Sequence, residues 1–443
     1  MTKASEAGNG ITGSKTAAGL SRRGFLQASG LAGLAAVATA CGAGGGSSSS
    51  GKSLSVVCES GGLAELTSIA RLFEKKHPGT TVTLNNLPYN GLFSRVSSEL
   101  SSGALSFDLA AIDAIWLPTF APKLLHLDAL FTPAVKADLF PATLDEGQIG
   151  GHYVGMPGWT NVEILYYRKD IFDDKKQQSA FKAHYGYDLA PPKTWQQFTD
   201  AARFFTKGGL YGTDVKGNVE TEWLAHVLQA GSPGVVLDNS GAVIIDNAQH
   251  LEALKFYSGL NNQYKVCPSG AAQVGWPEAQ NFFYQGKTAM TRFWAHLYRQ
   301  IPATGPVHGK VGVAPMIGGS AGVAGVPGPF YLSAPAAGKN NSLALEFIKF
   351  AYDNNAMGIS SALGLAARKS AFQQFAGQPG YESFTPLLET LNAPATRTRP
   401  KTPQWQQIVD TVLVPTIQKS LAPNANYPAL LATAKTSVEN LVG

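Results

Sequence analysis

The sequence predicts a mixed α/β protein folded as two lobes. Strand and helix signals alternate from Leu54 onward, roughly 390 residues follow a Gly/Ser spacer, and a chain of that length is too long for one ordinary hydrophobic core. Charged residues make up only 15% of the chain beside 48 Gly, 22 Phe, 15 Tyr and 7 Trp, the reverse of a disordered composition.

The alternation can be followed element by element. Leu54-Ser55-Val56-Val57 is a β-branched strand. From Leu63 to Lys76 the apolar positions Leu63, Leu66, Ile69, Ala70 and Phe73 share one helix face, and His77-Pro78-Gly79 ends it. Thr81–Leu84 is the next strand, Gly91–Ser101 a second helix, and Phe107–Ile112 a buried strand that stops at Asp113. This order implies parallel strands joined by crossover helices, and ligands of such sheets sit beyond the carboxyl ends of the strands. Glu59, Tyr89-Asn90 and Asp113 through Trp116 occupy those places. Farther on, Val162–Tyr167 reads as a strand, and Thr194 with Gln197 as the capped start of a helix. Asn247–Leu260 and Ala279–Gly286 are helices, Thr288–Arg292 and Val311–Pro315 strands, and Ser342–Asn354 and Thr402–Lys419 helices. No internal repeat occurs.

Residues 1–40 read as an address. Ser21-Arg22-Arg23-Gly24-Phe25-Leu26 opens an apolar run, Leu31 to Ala40, that stops at Cys41. The run is roughly half the ~20 residues a membrane span needs. The arginine pair resembles the twin-arginine export signals of bacteria, and Ala38-Thr39-Ala40-Cys41 resembles a lipoprotein cleavage box, with Ala38 where Leu is usual. The expectation is a cleaved signal over 1–40, a lipid on Cys41, a flexible tether over 41–52, and a protein held at the outer face of the cytoplasmic membrane. Four basic residues and one acidic residue leave with the signal, so the net charge of +5 falls to +2. No basic stripe remains to suggest nucleic acid. Cys58 and Cys267 sit in apolar surroundings and are expected as free buried thiols. The eight His show no paired ligand spacing, so no metal centre is expected, and no motif demands a cofactor.

The chain has no Gly-x-Ser-x-Gly, Walker loop, dinucleotide fingerprint or His-Glu-x-x-His. Glu59, Asp113 and Glu163 lie near strand ends and could form a glycosidase pair, a coincidence open to any chain of this size. The aromatic residues say more. Trp116, Trp159, Trp223, Trp276 and Trp294 fall mostly at element ends or beside Gly and Pro, where a ring can stack on the C–H face of a sugar. Trp195 and Trp405, in mid-helix, belong to the core.

A run of blocks resembles the extracellular solute-binding lipoproteins of bacterial ABC importers, in the carbohydrate class that includes maltose- and trehalose-binding proteins. The blocks are residues 107–116, 155–170, 192–195, 282–290, 310–315 and 344–350, in order over nearly the whole mature chain. The resemblance implies a periplasmic-binding-protein-like fold, with crossing segments between the lobes and a ligand cleft. One lobe would take 53–160 plus 328–366, the other 161–327 plus 367–443. The implied ligand positions are Glu59, Asp113, Trp159, Asn161, Trp276, Trp294 and Arg368, to which Asn90 and Phe330 are added here. Where the family usually has Gly-Gly-Trp, this chain has Gly328-Pro329-Phe330, which keeps a ring but loses the indole donor and one backbone N–H. The implied function is a monomeric, non-enzymatic receptor that delivers a mono- or oligosaccharide to ABC permease subunits. The alternatives are the same fold carrying a polyamine or glycerol phosphate, or a surface glycoside hydrolase.

Overall fold

The computed structural model describes residues 52–443. The export signal, Cys41 and the Gly/Ser tether up to Gly51 lie outside the described residues. No helix among the described residues is long and apolar enough to cross a membrane.

Two separate sheets organise the chain. The first has five strands in the order Thr80–Asn86, Lys52–Cys58, Leu109–Asp113, Phe330–Ser333, Met156–Trp159. The parallel register expected of the opening β-α-β-α-β run is present, with Leu54 beside Val82 and Val56 beside Leu109. Leu109–Asp113 lies in mid-sheet and is buried throughout, as a strand covered on both faces must be. Phe330–Ser333, more than two hundred residues later, enters antiparallel between Leu109–Asp113 and Met156–Trp159. The second sheet is antiparallel, in the order Met290–Trp294, Glu163–Arg168, Val311–Ala314. The chain therefore passes from one sheet to the other at residues 160–162 and returns at 325–329.

Several boundaries differ from the expected ones for local reasons. The first helix begins at Ser60 rather than Leu63, because the Glu59 carboxylate accepts the Gly62 N–H at 2.9 Å and starts the helix early. Its buried face is Leu66, Ile69, Ala70 and Phe73, as the periodicity requires. The helix expected from Ala279 starts at Trp276, where Pro277 occupies a first-turn position that needs no N–H. Thr194 caps its helix by accepting the Gln197 N–H, but the Gln197 side chain reaches back to Lys193 rather than to the cap residue. Thr221–Gln229 was legible from no stripe, because all nine of its residues are buried. The single late helix is broken. Pro415 cannot donate to the Thr411 carbonyl, and Val409–Leu413 widens into a π turn between Trp405–Ile408 and Val414–Ser420. Cys58 and Cys267 are both free and buried, and burial pushes the Cys58 thiol up to about 12.

One buried asparagine ties three of these parts together. The Asn355 amide donates to Glu65 at 3.1 Å and to the Gly158 carbonyl at 2.6 Å, and its oxygen accepts the Ala367 N–H at 2.7 Å. Burial, and then the nearby Glu59, raise the Glu65 carboxyl to about 8, so it is folded in its neutral form. In the unfolded chain the same carboxyl ionises near its ordinary value, so ionisation favours unfolding as pH rises between the two values. Glu65→Gln is therefore expected to flatten the pH dependence of stability. The melting temperature of the parent protein should fall relative to the variant between about pH 5 and pH 8, and parallel curves over that window would show that Glu65 does not carry this effect.

Candidate functional site

The two sheets end against each other where the chain crosses between them. Phe330 faces both Asp113 and Trp159 in the first sheet, and the register shifts between Phe330 and Tyr331. That irregularity re-aims a side chain at a sheet end, as bulges do. The Phe330 ring lies flat on Trp159, with centroids 4.6 Å apart and planes 13° from parallel. In the second sheet Trp294 pairs with Glu163, and its ring is 5.5 Å from Trp276. Gly328 makes the join possible. A Cβ there would come within 2.7 Å of the Trp294 ring, and its N–H donates to the Asn161 carbonyl at 2.8 Å. Trp159, Asn161, Trp276, Trp294 and Phe330 are thus brought to one seam.

Tyr89 opens the helix Tyr89–Ser102 at the same seam. Its ring is 4.7 Å from Trp116 and 6.4 Å from Phe330, and at 37% it is the one large hydrophobic side chain that is exposed among the described residues. Its hydroxyl donates to Asp113 Oδ2 at 2.9 Å. The other Asp113 oxygen accepts the Ile115 N–H and the Arg399 guanidinium, the latter at 3.3 Å. Arg399 also donates to the Pro327 carbonyl in the returning segment. It is buried, and the nearby Asp113 carboxylate above all keeps it charged against the cost of that burial. Burial raises the Glu146 carboxyl to about 8 and also raises that of Glu220, while Arg399 works in the opposite direction on both.

A second set of buried charges lies behind Trp276. Lys216 reaches Asp214 at 2.7 Å, Glu222 at 3.2 Å and the Arg292 carbonyl at 2.8 Å, and Arg292 pairs with Glu222. The Lys216 ammonium is 5.3 Å from the Trp276 ring, close enough for a cation–π contact that helps fix the indole.

The remaining expected residues divide. Glu59 is half-buried at the first helix N-terminus, and burial raises its carboxyl despite the Gly61 and Gly62 N–H groups. Asn161 is spent on structure: its oxygen accepts the Val162 and Ala295 N–H groups, and its amide meets His296, which burial lowers to about 4 and so keeps neutral. Asn90 lies in the first turn of Tyr89–Ser102. Arg368 points elsewhere. Its guanidinium pairs with Asp138 at 2.7 Å and bonds the Tyr352 and Asp353 carbonyls, beside a separate cavity of about 320 Å³. Trp116 and Trp223 are fully buried core residues rather than free platforms, and the Trp116 N–H donates to Gln406. Glu163 is buried against Thr221 at 2.6 Å and, through burial and then Glu222, rises to about 8. Arg399, Glu220 and the Lys216 group escaped the sequence reading. Nothing in Thr398-Arg399-Pro400 marks a residue that will lie against Asp113, 286 positions away.

Residues 60–358 match the profile of the bacterial extracellular solute-binding proteins. A probable ABC transporter-binding protein of Deinococcus radiodurans is 27% identical over 292 residues, 62% of this chain and 66% of that protein. The maltose-bound MalE3 of T. maritima superposes with a TM-score of 0.74 at 23% identity, over 88% of this chain and 100% of that one. The Thermus thermophilus maltotriose-binding protein, bound with maltotriose, does so with a TM-score of 0.72 at 20% identity, over 88% and 100%.

Removing Arg399 leaves Asp113 without its buried counter-charge. Arg399→Met is expected to lower the unfolding free energy by about 3–5 kcal/mol, read from urea denaturation. A loss below about 1 kcal/mol would mean that the pair behaves as a surface ion pair and that Arg399 does not hold the seam.

Proposed function

The chain belongs to the bacterial extracellular solute-binding protein family, and on that premise we propose that it is the substrate-binding component of an ABC transporter, taking a neutral mono- or oligosaccharide at the seam between its sheets. The observation that carries the reading is the placement of aromatic rings from strand ends of both sheets and from two helix starts beside a few polar groups. Tyr89 and Phe330 come from one side and Trp276 and Trp294 from the other, with Asp113 and Arg399 beside Tyr89 and Glu59 at the nearby N-terminus of the first helix. Rings pack on sugar C–H faces while carboxylates and guanidinium groups hold hydroxyls. Asp113 is already paired with Arg399, which disfavours a polyamine or a phosphate ester, since each would need unmatched charge of one sign. The neighbours bound to maltose and to maltotriose support the same chemistry.

In this reading the lobes are 53–160 plus 328–366 and 161–327 plus 367–443, and residues 160–162 and 325–329 are the crossings about which they close. A ligand touching both lobes is held better by the closed state and shifts the population toward it. Phe330 in place of the family's usual Trp narrows the platform and removes a donor, so the preferred sugar differs from the family's common disaccharides or is bound more weakly. The protein acts as a monomer without a cofactor, exported by the twin-arginine route and moored at the outer face of the membrane through Cys41. Release near the membrane then delivers sugar to the permease subunits.

A thermal-shift screen over sugars should find one that raises the melting temperature. With that sugar, calorimetry should show Trp276→Ala and Phe330→Ala each weakening binding about tenfold or more, and Arg368→Ala leaving it unchanged. Unaltered affinity in both aromatic variants would move the site elsewhere. Sugar release from maltotriose that stops in Glu59→Gln would replace the receptor with a hydrolase.

The mooring has its own test in cell fractionation. Cys41→Ser should move the protein from the membrane fraction to the soluble exported fraction, and Arg22→Lys with Arg23→Lys should hold it in the cytoplasm. Membrane retention of the Cys41→Ser protein would rule out the lipid anchor.

A further inference from the structure

A cluster of metal-binding side chains forms at the opposite end of the returning strand from the sugar seam. Leu125 donates to the Ala334 carbonyl, just beyond Ser333, whereas Phe330 stands at the seam end of the same strand. From this loop His126 and Asp128 project, and the hairpin Gln148–Ile149/His152–Tyr153 brings His152 against them. All three side chains are exposed, and one ligand atom from each lies within 4.8 Å of the others.

The backbone holds the three in place. Leu127 donates to the Tyr153 carbonyl at 2.7 Å, and Tyr153 N–H donates back to Asp128 Oδ1 at 3.1 Å. The hairpin turns at Gly150 and Gly151, both at positive φ, so its return is tight and places His152 directly before that double clasp. Asp128 Oδ1 is thereby occupied and Oδ2 is turned to His152 Nδ1, 3.0 Å away. The imidazoles of His126 and His152 lie face to face, 3.9 Å between centroids and 13° from parallel.

We propose that His126, Asp128 and His152 form a binding site for a divalent transition-metal ion such as Zn²⁺, with water completing the coordination. Two imidazole nitrogens and one carboxylate oxygen suit Zn²⁺, Co²⁺, Ni²⁺ or Cu²⁺ and are a poor match to Mg²⁺ or Ca²⁺, which prefer oxygen. Bonds of about 2.0–2.2 Å place neighbouring ligands roughly 3.3–3.6 Å apart, so the Nδ1–Oδ2 pair, now at 3.0 Å, opens slightly to form one edge, and rotation of the exposed His126 ring closes the others. The ion takes the place of the proton between His152 and Asp128, while the Tyr153 N–H stays on the outer oxygen and orients the carboxylate. The three ligands were not apparent as a metal site in the sequence because His152 lies 24 positions from Asp128 and arrives only through the hairpin.

The test uses mature protein without a histidine tag, titrated with Zn²⁺ by calorimetry and with Co²⁺ by absorption. One equivalent should bind, the Co²⁺ spectrum should show nitrogen ligation, and Zn²⁺ should raise the melting temperature. His126→Ala, His152→Ala and Asp128→Asn should each weaken binding by at least about tenfold, the scale on which even outer-shell partners act, with far-UV circular dichroism and the metal-free melting temperature unchanged. No saturable binding up to millimolar ion overturns the proposal. So does binding that survives His126→Ala, which would leave only a His–Asp pair. Sugar affinity should be the same with and without Zn²⁺, which keeps this result separate from the seam.

Discussion

The seam depends on one strand insertion. Phe330–Ser333 hydrogen-bonds antiparallel between Leu109–Asp113 and Met156–Trp159, and by doing so it completes the first sheet with residues that have already visited the second. Two chain crossings must then run side by side, and the Gly328 N–H to Asn161 carbonyl bond is their direct link. If Phe330 were not paired opposite both Asp113 and Trp159, neither the aromatic stack nor the approach of Gly328 to Trp294 would have a cause.

Around that insertion the charges are arranged so that few are left bare. Arg399 matches Asp113 in a place too buried for either alone, and the Lys216, Asp214, Glu222 and Arg292 group does the same behind Trp276. Burial holds the carboxyls of Glu65, Glu146 and Glu163 neutral, outweighing the pull of Arg399 on Glu146 and of Lys216 on Glu163. The surroundings of the aromatic rings are therefore close to electrically balanced, which suits a ligand carrying hydroxyls rather than net charge. Asn161 and Asn355 show the other half of the same economy: each spends its amide on backbone groups of segments that cross or meet near the seam.

The first lobe's order was readable because it is made of local signals. The Leu66, Ile69, Ala70 and Phe73 stripe and the β-branched strand before it are periodic within a few residues, and their crossover geometry follows from chain handedness. Helix starts slipped at Glu59 and Pro277, and the late helix broke at Pro415, since capping and the loss of a donor act over one turn and outweigh propensity. Thr221–Gln229 gave no stripe because a helix buried on every side has no polar face to alternate with.

The sequence by itself determined the alternation of elements, the free buried thiols and the residue types that suit a sugar receptor. It could name Asp113 because it stands just past a strand, where the fold class places ligands, Trp276 and Trp294 because their rings fall at element ends or beside Gly and Pro, and Phe330 only through the family resemblance. Only the tertiary structure decided which candidates share the seam. It sent Arg368 to Asp138, buried Trp116 against Gln406, and brought Arg399 to Asp113 from 286 positions away. Periodicity is a short-range property of the chain, whereas an ion pair or a stacked ring is settled by which distant segments pack together, and no local pattern encodes that choice.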